Sequence, residues 1–183
     1  MKIKGTHKAR SGFLFISGST HRRIPLFRYR RACDIFLKTL EAYREKYALR
    51  IHAYALMPDH YHLLLWFPPE HDLVDLLRDF KSLVGGKIVE WLKREKLDAL
   101  LAHFQLKNAP RRTRDARYCI LQYNSYIKSV VGSSAMEQTL NYIHQNPVRE
   151  GLVESPEEYP YSSGGAYAGK RFGPVKVGRL ESL

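Results

Sequence analysis

Met57-Pro58-Asp59-His60-Tyr61-His62-Leu63-Leu64-Leu65-Trp66 is the stretch on which the reading of this chain turns. Pro58-Asp59 is a turn signal, and the leucines and aromatics after it alternate as in a strand, which the pattern extends over residues 60–67. Side chains on a strand alternate between faces, so His60 and His62 share one. Two imidazoles about 7 Å apart along a rigid strand suit a shared metal ion. They equally suit a polar strand face with two unrelated histidines, because two ligands do not close a metal site.

Immediately upstream, Arg50-Ile51-His52-Ala53-Tyr54-Ala55-Leu56-Met57 reads as a second strand, and the Pro-Asp turn joins the two as a hairpin. His52 is read as a neighbour or packed residue rather than a ligand. Further back, Cys33, Phe36, Leu37, Leu40, Tyr43 and Tyr47 recur at helical spacing and predict a helix over about 29–47. Before it lie a short apolar strand at 13–17 and a basic loop, Thr20-His21-Arg22-Arg23.

Downstream, Pro68-Pro69 ends the strand. Leu73, Leu76, Leu77, Phe80, Val84, Ile88, Trp91 and Leu92 then mark one side of a second helix. Gly85-Gly86 interrupts it and predicts a kink or a close backbone approach. Lys81 and Lys87 flank that point and could reach phosphates. Residues 93–117 are charged and irregular. Within them, Lys107-Asn108-Ala109-Pro110-Arg111-Arg112-Thr113-Arg114-Asp115-Ala116-Arg117 is basic enough to grip phosphates, with Arg111, Arg112 and Arg114 at its centre. Residues 118–123 return to strand character, and 125–131 extend that strand or pair with it.

Ser134-Ala135-Met136-Glu137 has the form of a capping box, so a helix of about three turns is expected from there. Met136, Leu140 and Ile143 form its apolar stripe. Gln138, Tyr142 and Asn146 fall at i, i+4 and i+8 on a separate polar stripe. Pro147 biases Asn146 out of helical geometry and puts it at the helix end. The order strand, helix, strand, strand, helix, strand is the split β-α-β pattern of a ferredoxin-like α+β fold with an antiparallel sheet, plus an added C-terminal helix that carries Tyr142. That fold hosts many activities and decides none.

Composition narrows the field. At 183 residues the chain reads as one domain, 1–183, with a basic arm at 1–11 and a loosely held, turn-rich tail at 164–183. Thirty Lys and Arg against eighteen acids give a net charge of +12, which argues for a polyanionic partner. No apolar run is long enough to cross a membrane, so no membrane partner is expected. The first residues lack the apolar core of a signal peptide, and Cys33 and Cys119 form no framework or CxxC site. A reducing cytoplasm fits, with the protein associated with the nucleoid.

Two motifs go further. Residues 56–65 resemble the histidine–hydrophobic–histidine strand of single-tyrosine HUH transposases. Asn141-Tyr142-Ile143-His144-Gln145-Asn146-Pro147-Val148-Arg149-Glu150-Gly151-Leu152-Val153 looks like the second hallmark of that superfamily, in the form found in bacterial REP-associated tyrosine transposases. The resemblance covers about residues 12–163. A Trp-Gln pair common in the family is replaced by Arg117-Tyr118-Cys119, and the segment at 94–117 is long; both bear on which DNA is recognised rather than on the chemistry. The resemblance implies cleavage and rejoining of single-stranded DNA beside a REP-like hairpin, by a monomer or homodimer. Tyr142 would be the nucleophile, forming a 5′-phosphotyrosine link. His60, His62 and Asn146 would hold a divalent cation, Mg²⁺ or Mn²⁺, with Gln145 as the alternative third ligand. Arg22, Arg23, Lys81, Lys87, Arg111, Arg112 and Arg114 would contact DNA.

Two other classes stay open at this point. One is a non-catalytic ferredoxin-like nucleic-acid binder that stacks bases on Tyr54, Tyr61, Trp66 and Tyr123. The other is a metal-dependent nuclease that activates water.

Overall fold

The computed structural model describes residues 11–106, 117–170 and 173–178. Strand β1 (Gly12–Ser19) leads through two 3₁₀ turns to helix α1 (Arg30–Lys46). Then come β2 (Arg50–Leu56), β3 (His60–Phe67), α2 (Leu73–Arg94), α3 (Asp98–His103), β4 (Tyr126–Ser129), α4 (Ser133–Arg149) and the short α5 (Gly164–Tyr167). The sheet order is β2-β3-β1-β4, and every neighbouring pair is antiparallel. This is the expected α+β arrangement, with α4 as the added helix.

Period-two alternation divides each strand between two layers. Leu14, Ile16, Tyr61, Leu63 and Leu65 face α1 and α2 and join their apolar stripes in the larger core. Ala53, Ala55, Met57 and Leu64 face the other way and pack with Met136 and Ile143 of α4. The two alanines on β2 leave room for a helix to lie close. β3 is buried on both faces along most of its length, which is why it reads as a run of leucines.

Gly18 pairs with Tyr61 across β1 and β3. A Cβ on Gly18 would run into the Tyr61 phenol ring. Tyr61 cannot yield easily, because it is fully enclosed and packs on Phe36 with ring centroids 4.9 Å apart. Gly18→Ala is therefore expected to destabilise the fold by about 1–3 kcal/mol, the usual cost of overpacking. Chemical denaturation checks it, and an unchanged midpoint would mean that Tyr61 has room to move.

Several local expectations are corrected. α2 runs unbroken through Gly85-Gly86. The 118–123 segment forms only isolated bridges, Gln105 to Tyr118 and Thr20 to Leu121, while β4 begins at Tyr126. α4 starts one residue early, behind Gly132 at φ 87°, with no side-chain cap. Ser134 Oγ instead accepts from Gln138 Nε2 at 3.2 Å. The helix also continues through Pro147, because packing of its buried face outweighs one missing backbone hydrogen bond. Its 17 residues make it longer than the expected three turns.

The tail is not loosely held where it is described. Just ahead of the tail, residues 159–163 run along the free edge of β2, with Leu56 N–H donating to Tyr161 O at 2.9 Å and Ser163 N–H to Tyr54 O at 3.0 Å. The Tyr167 hydroxyl donates to His52 O, Gly178 N–H donates to Ile51 O, and Val175 is buried in the main core. Residues 1–10 of the basic arm lie outside the described residues.

Candidate active site

His60 and His62 stand on the α4 side of β3, paired with Ser19 and Ser17 of β1. Their rings are 4.8 Å apart and nearly perpendicular. Asp59, in the turn before the strand, lies with Oδ1 2.6 Å from His60 Nδ1. Burial pushes the Asp59 carboxyl up, but the hydrogen bonds from His60 and Arg23 outweigh it and hold it below the usual carboxylate range. A carboxylate accepts, so it keeps the proton on Nδ1 and leaves His60 Nε2 with its lone pair.

His62 is deeper. It stacks on Phe15 at 5.6 Å and meets the edge of Tyr142 at 5.5 Å. Burial, reinforced by His60 and Arg23, pushes its imidazole down to about 3, so it is neutral at working pH. Among the described residues neither ring nitrogen has a hydrogen-bond partner. Leaving such groups buried and unpaired costs about 1–3 kcal/mol each.

α4 brings the second half of the site. Tyr142 is 39% exposed, flanked by Phe15 in an edge contact at 5.9 Å, with the Arg149 guanidinium over its ring at 5.5 Å. Asn146 follows one turn later and is buried. Its Nδ2 donates to Tyr142 O at 2.7 Å, which leaves Oδ1 for another partner. Gln145, half-buried, sits about 100° round the helix from Asn146. The structure thus brings His60, His62 and Tyr142 together between β3 and α4, with Asn146 one turn past Tyr142 on the same helix.

It also adds residues that the sequence reading passed over. Glu150, at the C-terminal cap of α4, places Oε1 3.8 Å from His60 Nε2. Its signal was the polar stripe Gln138, Tyr142, Asn146, which continues by four to Glu150 once the helix passes Pro147. Asp59 had no periodic signal, since it acts from a turn; Arg149 falls at i+7 from Tyr142 on the same helix face, a signal hidden, like that of Glu150, by reading Pro147 as a stop.

The expected DNA contacts fare unequally. Arg22 and Arg23 are exposed in the turn beside Asp59, both in the left-handed region at φ 53° and 54°, a strained geometry for non-glycine residues. Arg23 Nη1 reaches Asp59 Oδ2 at 3.1 Å, so that cation borders the site. Lys81 is corrected: it is buried, and its Nζ donates to Gln122 O, Tyr123 O and Ser125 Oγ within 3.0 Å. Lys87 is exposed on the helix layer across the sheet from the histidines, 3.4 Å from Thr39 Oγ1 of α1, so it stands away from the site. Arg111, Arg112 and Arg114 lie outside the described residues. Of the aromatics considered for base stacking, Tyr54 and Tyr61 are buried in the core and Arg50 sits over Trp66, whereas Tyr123 is exposed.

His144, two residues past Tyr142, points away from the site. Its Nε2 lies 2.7 Å from Ser163 Oγ, and its ring packs on Tyr167. Burial pushes its imidazole from 6.5 down to about 4. The unfolded chain takes that proton near 6.5 and the folded chain does not until about 4, so the unfolded state binds more protons between these values. Stability should therefore fall as pH drops through that window, by about 3 kcal/mol for this one group. His144→Gln should remove its share and flatten the profile of denaturation midpoint against pH. An unaltered profile would rule the residue out as the source.

The model of a known family, "Transposase IS200 like", matches residues 18–146. The chain belongs to the IS200-like transposase family. That match runs from Gly18, at the end of β1, to Asn146 and takes in the histidine strand and Tyr142. Among solved structures, the chain is similar to a REP-associated tyrosine transposase bound to a REP hairpin, at 17% identity and a TM-score of 0.63, covering 94% of this chain and 88% of that one. It is also similar to a candidate transposase from Deinococcus radiodurans, at 19% identity and a TM-score of 0.45, covering 79% of this chain and 97% of that one. No curated protein sequence matches. Among the described residues no helix is long and apolar enough to cross a membrane.

Proposed function

We propose that this transposase-family protein cuts and rejoins single-stranded DNA beside a REP-like hairpin, by transesterification through Tyr142. The Tyr142 oxygen attacks a phosphodiester phosphorus. The bond to the 3′ oxygen breaks, the DNA 5′ phosphate stays on the tyrosine, and the phenol proton ends on the departing 3′-OH. No water is consumed, so the reverse attack by a 3′-OH rejoins the strand. The observation that carries this reading is the convergence of an exposed tyrosine with two lone-pair-bearing imidazoles across the β3–α4 boundary, next to Arg149 and Arg23. Proximity of nucleophile and charge at one phosphate is what such a reaction needs. The +12 charge and the hairpin-bound structural neighbour support DNA as the substrate.

The residues present fit a divalent cation. His62 has two buried nitrogens without partners, and Asp59 fixes His60 in the tautomer that presents Nε2. Among the described residues no three His, Cys, Asp or Glu side chains gather to hold a metal. His60 and His62 would therefore share it with the Asn146 amide oxygen, which leaves room for phosphate oxygens; Mn²⁺ or Mg²⁺ suits that mixed set. When bound, the cation supplies charge that polarises the phosphate. For its part the chain orients the phenol between Phe15 and Arg149, keeps His62 neutral by burial, and holds the His60 ring against Asp59.

Incubating the protein with Mn²⁺ and labelled hairpin DNA carrying a single-stranded flank tests the proposal. A covalent protein–DNA adduct is expected. Free cleaved product without adduct would mean hydrolysis, and retarded DNA without cleavage would mean a binding protein; either result overturns the reading.

A further inference from the structure

α4 covers only part of the site face of the sheet. Among the described residues it packs mainly on β2 and β3; β1 adds the half-buried Phe13 and Phe15 to the same layer, and β4, at the edge of the sheet, keeps Tyr126 and Lys128 exposed. Register fixes what that edge presents. Tyr126 pairs with Ser17, which pairs with His62, so the three form one row across β4, β1 and β3. Lys128, Phe15 and Leu64 form the next row. Neighbouring strands are about 4.8 Å apart, which puts the Tyr126 backbone about 10 Å from that of His62.

Tyr126 is 47% exposed, and Lys128 is exposed beside it. Phe15 joins Tyr126 to the site: it meets the Tyr126 ring at 6.1 Å and the Tyr142 ring at 5.9 Å, both edge-on, and stacks on His62. The segment that enters β4 is held firmly. The buried ammonium of Lys81 gathers Gln122 O, Tyr123 O and Ser125 Oγ, and Gln122 N–H donates to Ser19 O at 2.8 Å. An exposed aromatic ring on a rigid strand, with a cation two residues on, is chemistry that takes a nucleobase on the ring and a phosphate on the ammonium.

We propose that Tyr126 and Lys128 form a subsite for the unpaired DNA strand, in which a base near the reacting phosphate stacks on Tyr126 and a backbone phosphate meets Lys128. The subsite rests on the reading of the site as one that handles single-stranded DNA. It would lead the strand across β4 and β1 toward Tyr142, and give Lys81 its role as the anchor of the platform rather than as a contact.

The test measures binding of a fluorescently labelled oligothymidylate by anisotropy, without divalent cation, to the wild type and to Tyr126→Ala, Tyr126→Phe and Lys128→Gln. Tyr126→Ala should bind roughly tenfold or more weakly, in line with one lost stacking contact. Tyr126→Phe should match the wild type, since the ring face is kept, and should still form the covalent adduct. Lys128→Gln should lower the slope of log affinity against log salt by about 0.7, the share of one phosphate on a single strand. Equal binding by wild type and Tyr126→Ala would overturn the subsite while leaving the DNA reading intact. Weak binding by Tyr126→Phe would mean that the hydroxyl matters and not the ring, and loss of the adduct in that variant would make Tyr126 a nucleophile; each overturns it. If the wild type binds no oligothymidylate, the subsite and the single-strand reading fall together.

Discussion

Tyr142→Phe is expected to form no covalent adduct while binding hairpin DNA with unchanged affinity. The variant removes one oxygen from a ring whose neighbours, Phe15, His62 and Arg149, contact its faces and edges rather than its hydroxyl. The fold should not notice, because a residue 39% exposed at the rim of the contact between α4 and the sheet carries little of the core. A nucleophile has no substitute, so the loss should be complete within detection and not a matter of degree. Two rival tyrosines can be weighed in advance. Tyr61 lies on the opposite face of β3, enclosed by the main core, and burial pushes its phenol up to about 12. Tyr126 shares the site face but stands a strand further out. An undiminished adduct in Tyr142→Phe would overturn the assignment, and mass mapping of the adduct would then name the residue that carries it.

The second large effect concerns the cation. Calorimetric titration of Mn²⁺ should show binding to the wild type and its loss, or a fall beyond detection, in His60→Ala and His62→Ala. Each removes half of the imidazole pair, and among the described residues Glu150, 3.8 Å from His60 Nε2, does not complete a set of three His, Cys, Asp or Glu ligands that could hold the ion in its place. Asp59→Asn should fall between, at about 10- to 100-fold weaker, since it loosens the tautomer and aim of His60 without removing a ligand. Asn146→Ala should be the mildest, because water can replace an amide oxygen. Adduct formation at low Mn²⁺ should follow the same order, with partial rescue of the histidine variants at high Mn²⁺. Unchanged Mn²⁺ affinity in both histidine variants would show that the pair is structural and that the unpaired His62 nitrogens have another explanation.

The parts of this molecule that could be read in its sequence are those fixed by local punctuation and period. β3 begins and ends where Pro58-Asp59 and Pro68-Pro69 place it, and α1 and α2 follow their apolar stripes to within a few residues. Their order gave the topology. Lys81 was misread against a signal that was present: it falls four residues after Leu77 and three before Val84, on the buried stripe itself, and a lysine there must find acceptors inside the protein. Glu150 was hidden by treating Pro147 as a stop, a local rule that the packing of α4 overrides. β4 lies inside the 125–131 stretch read as strand, but its partner was not legible, since pairing with β1 joins segments more than a hundred residues apart. The resemblance supplied the partnership of His62 with Tyr142; no spacing in the chain would have put residues eighty apart 5.5 Å from each other.

The attachment of α4 at both ends governs how many protein molecules a strand exchange consumes. Residues 130–132 join it to β4, and three residues reach about 11 Å at full extension. At the far end, residues 159–163 are stitched to β2 and His144 is tied to Ser163. Trading this helix with a second copy would mean undoing both seams, so Tyr142 stays beside the histidines of its own chain and, on the proposed mechanism, would act there. Each cut end would then stay on the molecule that made it, one protein held per open end until a 3′-OH returns. A reaction that opens two ends at once must engage two such molecules side by side, each complete in itself.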